Sequence, residues 1–143
     1  MDIWEIFRNY YQYFLCGTVT TVIVSLITVL FGFILGCVIA LLRMSKSKLL
    51  STFGKLYITV LRGTPLLVQL YIVYYQLDFI PYPKMMVLGI ALERALPCAI
   101  ALSLNSAAYV AEIVRSGIQA VDFGQTEAAY SIGMTKAQTM LHI

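Results

Sequence analysis

Between Arg8 and Arg43 the chain carries no charged residue. Residues 16–42 of that stretch are apolar or small, and as a helix they reach about 40 Å, enough to cross a hydrocarbon core of about 30 Å. A first membrane span is predicted there. Ahead of it, residues 1–14 mix Trp4, Phe7, Tyr10, Tyr11, Tyr13 and Phe14 with polar positions, the pattern of a short helix lying in the membrane interface. The next apolar run is interrupted. Residues 56–61 and 66–77 are apolar, with Arg62, Gly63, Thr64 and Pro65 between them. The second part alone gives only about 20 Å of helix, whereas residues 56–77 together give about 33 Å. A broken second span is therefore predicted, with Thr64 capping and Pro65 opening the restarted helix. Residues 78–84 (DFIPYPK) read as an external turn, with Pro81 and Pro83 as breakers. Residues 85–92 read as a short external helix. A third span, about 32 Å long, is predicted over residues 97–117, with Pro97 as its first residue. The coarse class is an all-α membrane protein with about three transmembrane helices.

Within these spans the polar and small residues are not scattered. Thr18, Thr21, Ser25, Thr28, Gly32, Gly36 and Ala40 recur every three or four residues and form one stripe of the first span. Gly32 and Gly36 make a GxxxG pair, which lets another helix approach closely in lipid. Packing within the chain and packing against another subunit both fit. Asn105, Tyr109 and Glu112 lie on one face of the third span, a translocation path or an interhelical polar contact. Ser103, Ser106 and Ala107 add small contacts there. Arg62 at the break must face protein or water, or reach to the interface.

Composition supports the membrane reading. Hydrophobic residues make up 60% of the chain and charged residues 12%, and the mean hydropathy is +0.83. At 143 residues a single domain is expected. A net charge of +3 is too small for a nucleic-acid surface. Arg43, Lys46, Lys48 and Lys55 follow the first span with no acidic residue among them, so the positive-inside rule places that loop in the cytoplasm and the N-terminus outside. The N-terminal residues, with Asp2 and Glu5, do not read as a signal peptide. Cys16, Cys37 and Cys98 form no CxxC pair and read as small buried hydrophobes. No metal-ligand or catalytic constellation occurs, and His142 is the single histidine.

The last stretch, GQTEAAYSIGMTKAQTMLHI, is polar after a largely apolar chain. It predicts a helix over residues 125–132, a break at Gly133 and a second helix opened by a capping box, Thr135 with Gln138. A partner-docking elbow and a DNA-binding helix-turn-helix both match that outline. A recognition helix needs several basic or amide groups, and only Lys136, Gln138 and His142 are offered.

Four stretches together resemble the inner-membrane permease subunits of bacterial ATP-binding-cassette importers for polar amino acids, the glutamine, histidine, arginine and cystine group. They are GTVTTVIVSLITVLFGFILGCVIALLRMSKSK, LRGTPLLVQL, ALSLNSAAYVAEIVRSGIQ and the terminal stretch, whose Glu127, Ala128, Ala129, Gly133 and Ile143 follow the family's cytoplasmic Glu-Ala-Ala loop. The resemblance implies a five-helix type I importer core, of which about three spans are present, plus an interfacial N-terminal helix and cytoplasmic coupling helices over residues 122–143. It implies a multi-pass protein of the bacterial cell membrane. It also implies a second permease subunit, an ATPase subunit seated under the loop, an extracytoplasmic solute-binding protein, a polar amino acid as cargo, and contact with membrane lipid but not with nucleic acid. Glu127, Ala128, Ala129 and Gly133 would couple to the ATPase, with Glu127 either pairing with a basic partner residue or capping its helix. No GxxxxGK[ST] loop is present. ATP and its magnesium are expected on the partner, with no cofactor on this chain. Two departures stand out. Asp122 and Phe123 replace the family's usual Pro-Lys, although Asp122 can still cap, and Glu93 with Arg94 is atypical ahead of the third span. The missing later spans make a truncated fragment of such a permease the alternative, and a membrane-anchored helix-turn-helix regulator a weaker one.

Overall fold

A computed structural model describes residues 3–76, 86–87 and 90–143 of the chain. The expected external turn at residues 78–84 lies outside them. The elements run α1 (Ile3–Arg43), α2 (Lys48–Gly63), α3 (Leu66–Gln76), β1 (Met86–Val87), β2 (Ile90–Ala91), α4 (Leu92–Gln119), α5 (Phe123–Ser131) and α6 (Lys136–His142). Two helices, α1 and α4, are long and apolar enough to cross a membrane, or up to three if α2 and α3 count as one bent span.

The expected interfacial helix is not a separate element. Its residues form the first turns of α1, which runs 41 residues without a break. No Gly or Pro stands between Ile3 and Cys16, so nothing local ends a helix there. At 1.5 Å per residue α1 is about 60 Å long, twice the hydrocarbon thickness.

The chain turns at residues 44–47, where Ser51 Oγ donates to the Arg43 carbonyl at 3.0 Å and fixes the start of α2 to the end of α1. Gly54 is buried where α2 crosses, and a Cβ there would come within 3.1 Å of the Arg43 backbone nitrogen. Ile58 of α2 joins Ile39 and Ala40 of α1 and Ala111 of α4 in the buried core. From α2 to α3 the helix direction turns by 103°. The break therefore falls where the sequence predicted it, between Gly63 and Leu66, with a bend sharper than a restarted span requires.

Residues 85–92 also differ from expectation. Met86–Val87 pairs antiparallel with Ile90–Ala91, so a two-residue ladder stands where a short helix was predicted. A short apolar run does not distinguish strand from buried helix by periodicity. The third long helix then begins at Leu92, five residues before Pro97, and takes Glu93 into its first turn. Pro97 removes the donor that the Glu93 carbonyl would use and is disfavoured inside a helix. It is the largest fully buried side chain, so packing holds it in place against local preference. Among the cysteines, Cys37 and Cys98 are half-buried and Cys16 is exposed, contrary to the expected burial.

Candidate functional site

The α1–α4 packing is the frame on which the rest is hung. It is the most extensive helix pairing among the described residues, and the small stripe makes it close. A Cβ built on Gly36 would lie 2.6 Å from Val110 Cβ, and one on Gly32 would lie 2.9 Å from Ser106 Cβ. Gly32 and Gly36 thus face α4 of the same chain, which answers the question the stripe left open between intrachain and intersubunit packing. Ala40 is fully buried further along the same face. Thr18 and Thr21, toward the other end, are exposed and donate to carbonyls of their own helix, at 2.9 Å to Phe14 and 2.9 Å to Gly17.

The polar residues of α4 meet the break between α2 and α3. Asn105 Nδ2 donates to Gln69 Oε1 at 3.0 Å and to the Leu61 carbonyl at 3.3 Å. Gln69 Nε2 in turn donates to the Leu61 carbonyl at 2.7 Å, the Thr64 carbonyl at 3.1 Å and Thr64 Oγ1 at 2.7 Å. These carbonyls belong to the end of α2, where helical partners run out. Thr64 does not cap α3 as expected. Its hydroxyl donates back to the Val60 carbonyl at 2.8 Å and closes α2. Pro65 sits one residue ahead of α3, and its carbonyl accepts from the Val68 and Gln69 amides. The Tyr57 hydroxyl adds a bond to the Leu104 carbonyl at 2.8 Å. A bent helix pair survives in lipid only if its freed backbone groups are satisfied, and here side chains of α3 and α4 take up the Leu61 and Thr64 carbonyls.

One turn further along α4, the Arg62 guanidinium carbon lies 5.2 Å from the centroid of the Tyr109 ring. Glu112 pairs with Arg115 on its own helix, and Arg115 also donates to Gln119. Arg62 and Glu112 share a cavity of about 230 Å³ with Arg43, Lys55, Ile58 and Thr59. Asn105, Tyr109, Glu112 and Arg62 are therefore brought to one side of α4. Asn105 bridges helices, Tyr109 meets a cation, and Glu112 is held by its neighbour.

The elbow is separate from this cluster. The Asp122 side chain accepts from the Gly124 amide at 2.7 Å and caps α5. Gly133 has φ +86°, a conformation costly for any residue with a Cβ. Its amide donates to the Tyr130 carbonyl at 3.0 Å, and the Met134 amide donates to the Ala129 carbonyl at 3.1 Å. That pair of bonds is a Schellman motif. Two residues later the Thr135–Gln138 capping box opens α6, with the Thr135 amide donating to Gln138 Oε1 at 2.8 Å. Ala129 is buried inside the elbow, so only Ala128 of the Ala-Ala pair offers an exposed surface. Glu127 is exposed in the second turn of α5, too far in to cap, and its carboxylate has no hydrogen-bond or ion-pair partner among the described residues. Between the end of α4 and the elbow lies a cavity of about 300 Å³, lined by Val121, Thr126, Tyr130, Lys136 and Met140 among others.

Residues 28–143 match the model of the binding-protein-dependent transport system inner membrane component family. The chain belongs to that family. It is 42% identical over 120 residues to a protein named as a glutamine transport system permease of Rickettsia conorii, covering 84% of this chain and 52% of that protein. It is 39% identical over 137 residues to the nopaline transport system permease of Agrobacterium fabrum, covering 94% of this chain and 56% of that one. A crystal structure of an amino acid ABC transporter with histidines superposes with a TM-score of 0.81 at 41% identity, over 98% of this chain and 61% of that chain. The chain thus spans about half the length of the curated relatives it matches.

The family match includes the break, the polar side of α4 and the elbow. Two residues of this inner membrane component escaped the sequence reading, Gln69 and Tyr57. Both are unremarkable by position, one in the first turns of α3 and one mid-α2. The signal that could have singled out Gln69 is its being the sole amide in the apolar run of residues 66–75, since a polar group in lipid needs a partner.

Proposed function

We propose that this chain forms part of the membrane-spanning permease subunit of an ATP-binding-cassette importer of polar amino acids, and that its elbow takes up the motion of an ATPase partner. The observation that carries this reading is the build of residues 122–143, in which each junction is locked: Asp122 at the start of α5, Gly133 at its end and the Thr135–Gln138 box at the start of α6. An elbow so capped moves as a unit, as a transmitting element must. Exposed and unpartnered, Glu127 is then the group that pairs with a basic residue of the ATPase. ATP and magnesium are bound on that partner, and no cofactor is needed here. The N-terminus lies outside, because the basic residues from Arg43 to Lys55 hold their loop in the cytoplasm. A second permease subunit completes the path, a solute-binding protein delivers the cargo, and nucleic acid plays no part. The relatives' names, glutamine and nopaline permeases, support a polar amino acid or its derivative without choosing one.

Membranes carrying the chain are tested with the ATPase and binding protein of the same importer. The ATPase is expected to co-purify with the chain, and Glu127→Lys or Gly133→Val should lower cargo-stimulated ATP hydrolysis while leaving membrane insertion intact. Uptake that persists without the ATPase would instead identify a secondary carrier and defeat the reading.

A further inference from the structure

We propose that the cavity between α1, α2 and α4 binds the phosphate of an anionic phospholipid headgroup. Its walls are Arg43 from the end of α1, Lys55, Ile58, Thr59 and Arg62 from α2, and Glu112 from α4. Three cations thus share about 230 Å³ with one carboxylate. That carboxylate is already paired with Arg115. Among the described residues this is the one ion pair; Arg43 and Arg62 feel the Glu112 carboxylate only at longer range, and three cations against one carboxylate leave the cavity net positive. Like charges lining one cavity repel, and an added anion relieves that repulsion. The Arg62 guanidinium carbon lies over the Tyr109 ring, and no N–H of that group has a hydrogen-bond partner among the described residues, so its donors are free for an anion. The Thr59 hydroxyl makes no hydrogen bond among the described residues and lies on the same wall. A phosphate oxyanion matches this set of donors.

The helix that carries the pocket also selects the source of the phosphate. Lys55, Thr59 and Arg62 lie along one face of α2. Leu49, Phe53, Leu56 and Val60 form the adjoining face at the same spacing, and all four are exposed. The buried face, with Gly54 and Ile58, is the third side. A ligand with an anionic head and an apolar tail covers both free faces at once, whereas inorganic phosphate covers only one. Basic pockets at the cytoplasmic ends of membrane helices are where anionic headgroups bind. The inference needs the membrane location of the family and does not depend on the transport reading.

The test titrates the purified full chain in detergent with phosphatidylglycerol and with phosphatidylcholine of the same acyl chains, read by native mass spectrometry. One phosphatidylglycerol should be retained in preference to phosphatidylcholine. The variant Arg43→Gln, Lys55→Gln, Arg62→Gln should weaken that retention by about a hundredfold, from roughly one surface-charge contribution per residue. The equally discharged control Arg8→Gln, Lys46→Gln, Lys136→Gln should keep it. If the triple variant fails to fold, Lys55→Gln alone decides, since its side chain is exposed, and it should weaken retention severalfold. Equal retention of both lipids, an equal loss in the control, an unchanged affinity in Lys55→Gln, or displacement of phosphatidylglycerol by millimolar inorganic phosphate would each overturn the proposal.

Discussion

At position 36 one methyl group decides how closely two helices meet. Gly36→Ala would place a Cβ 2.6 Å from Val110 Cβ and 3.0 Å from the Ala107 carbonyl, and neither neighbour lies at the end of a long flexible side chain. The cost of such overpacking is about 1–3 kcal/mol. Thermal unfolding of the purified chain in detergent, followed by circular dichroism, should show a lowered midpoint for Gly36→Ala and a still lower one for Gly36→Val. An unchanged midpoint for both variants would mean that α1 and α4 do not meet at that point. Thr28 makes the opposite case on the same stripe. Its Oγ1 is buried with no hydrogen-bond partner among the described residues. Replacing such a hydroxyl by a methyl group of the same shape is neutral or stabilising by up to about 1 kcal/mol. Thr28→Val should therefore hold or raise the same midpoint, and a clear fall would show that the hydroxyl has a partner.

The elements differ in how far they can be read from sequence, and the difference follows the range of the contacts that define them. The elbow is legible because its determinants are local. Asp122, Gly133 and the Thr135–Gln138 pair each act within four residues, so spacing alone exposes them. The continuity of α1 is less legible, because aromatic residues signal an interface without breaking a helix. The turn between α2 and α3 is only half legible, since nothing local encodes its 103°. Its position shows in Gly63-Thr64-Pro65, but its angle depends on Gln69 and Asn105 meeting across 36 residues of chain. Those two side chains should be energetically coupled. A double-mutant cycle of Gln69→Leu and Asn105→Leu, read by thermal unfolding, is expected to give a coupling of about 0.6–1.7 kcal/mol, the range of polar contacts between membrane helices. Strict additivity would show that the bend is held by packing alone.

For the whole molecule, the sidedness assigned by the Arg43–Lys55 charges makes a direct prediction. In a background with Cys16, Cys37 and Cys98 replaced by Ala, a cysteine at Trp4 should react with a membrane-impermeant maleimide in intact cells. One at Lys46 should react only after the cells are opened, and the reverse pattern would invert the topology. The sequence assigns a side to these ends but does not pair the helices, since a small-residue stripe suits any neighbour. With Gly32 and Gly36 occupied by α4, the outward side of α1 is left to Leu26, Leu30, Phe33 and Leu41, all exposed. The consequence is mechanical. One side of α1 is a weld, where backbones nearly touch and any slip would drive side chains into glycine gaps. The other side is a bearing, greasy because Leu26, Leu30, Phe33 and Leu41 offer no side-chain hydrogen bond, so nothing among them would lock a helix laid against it. Any sliding of α1 would therefore be confined to that outer face, with α1 and α4 moving as one piece.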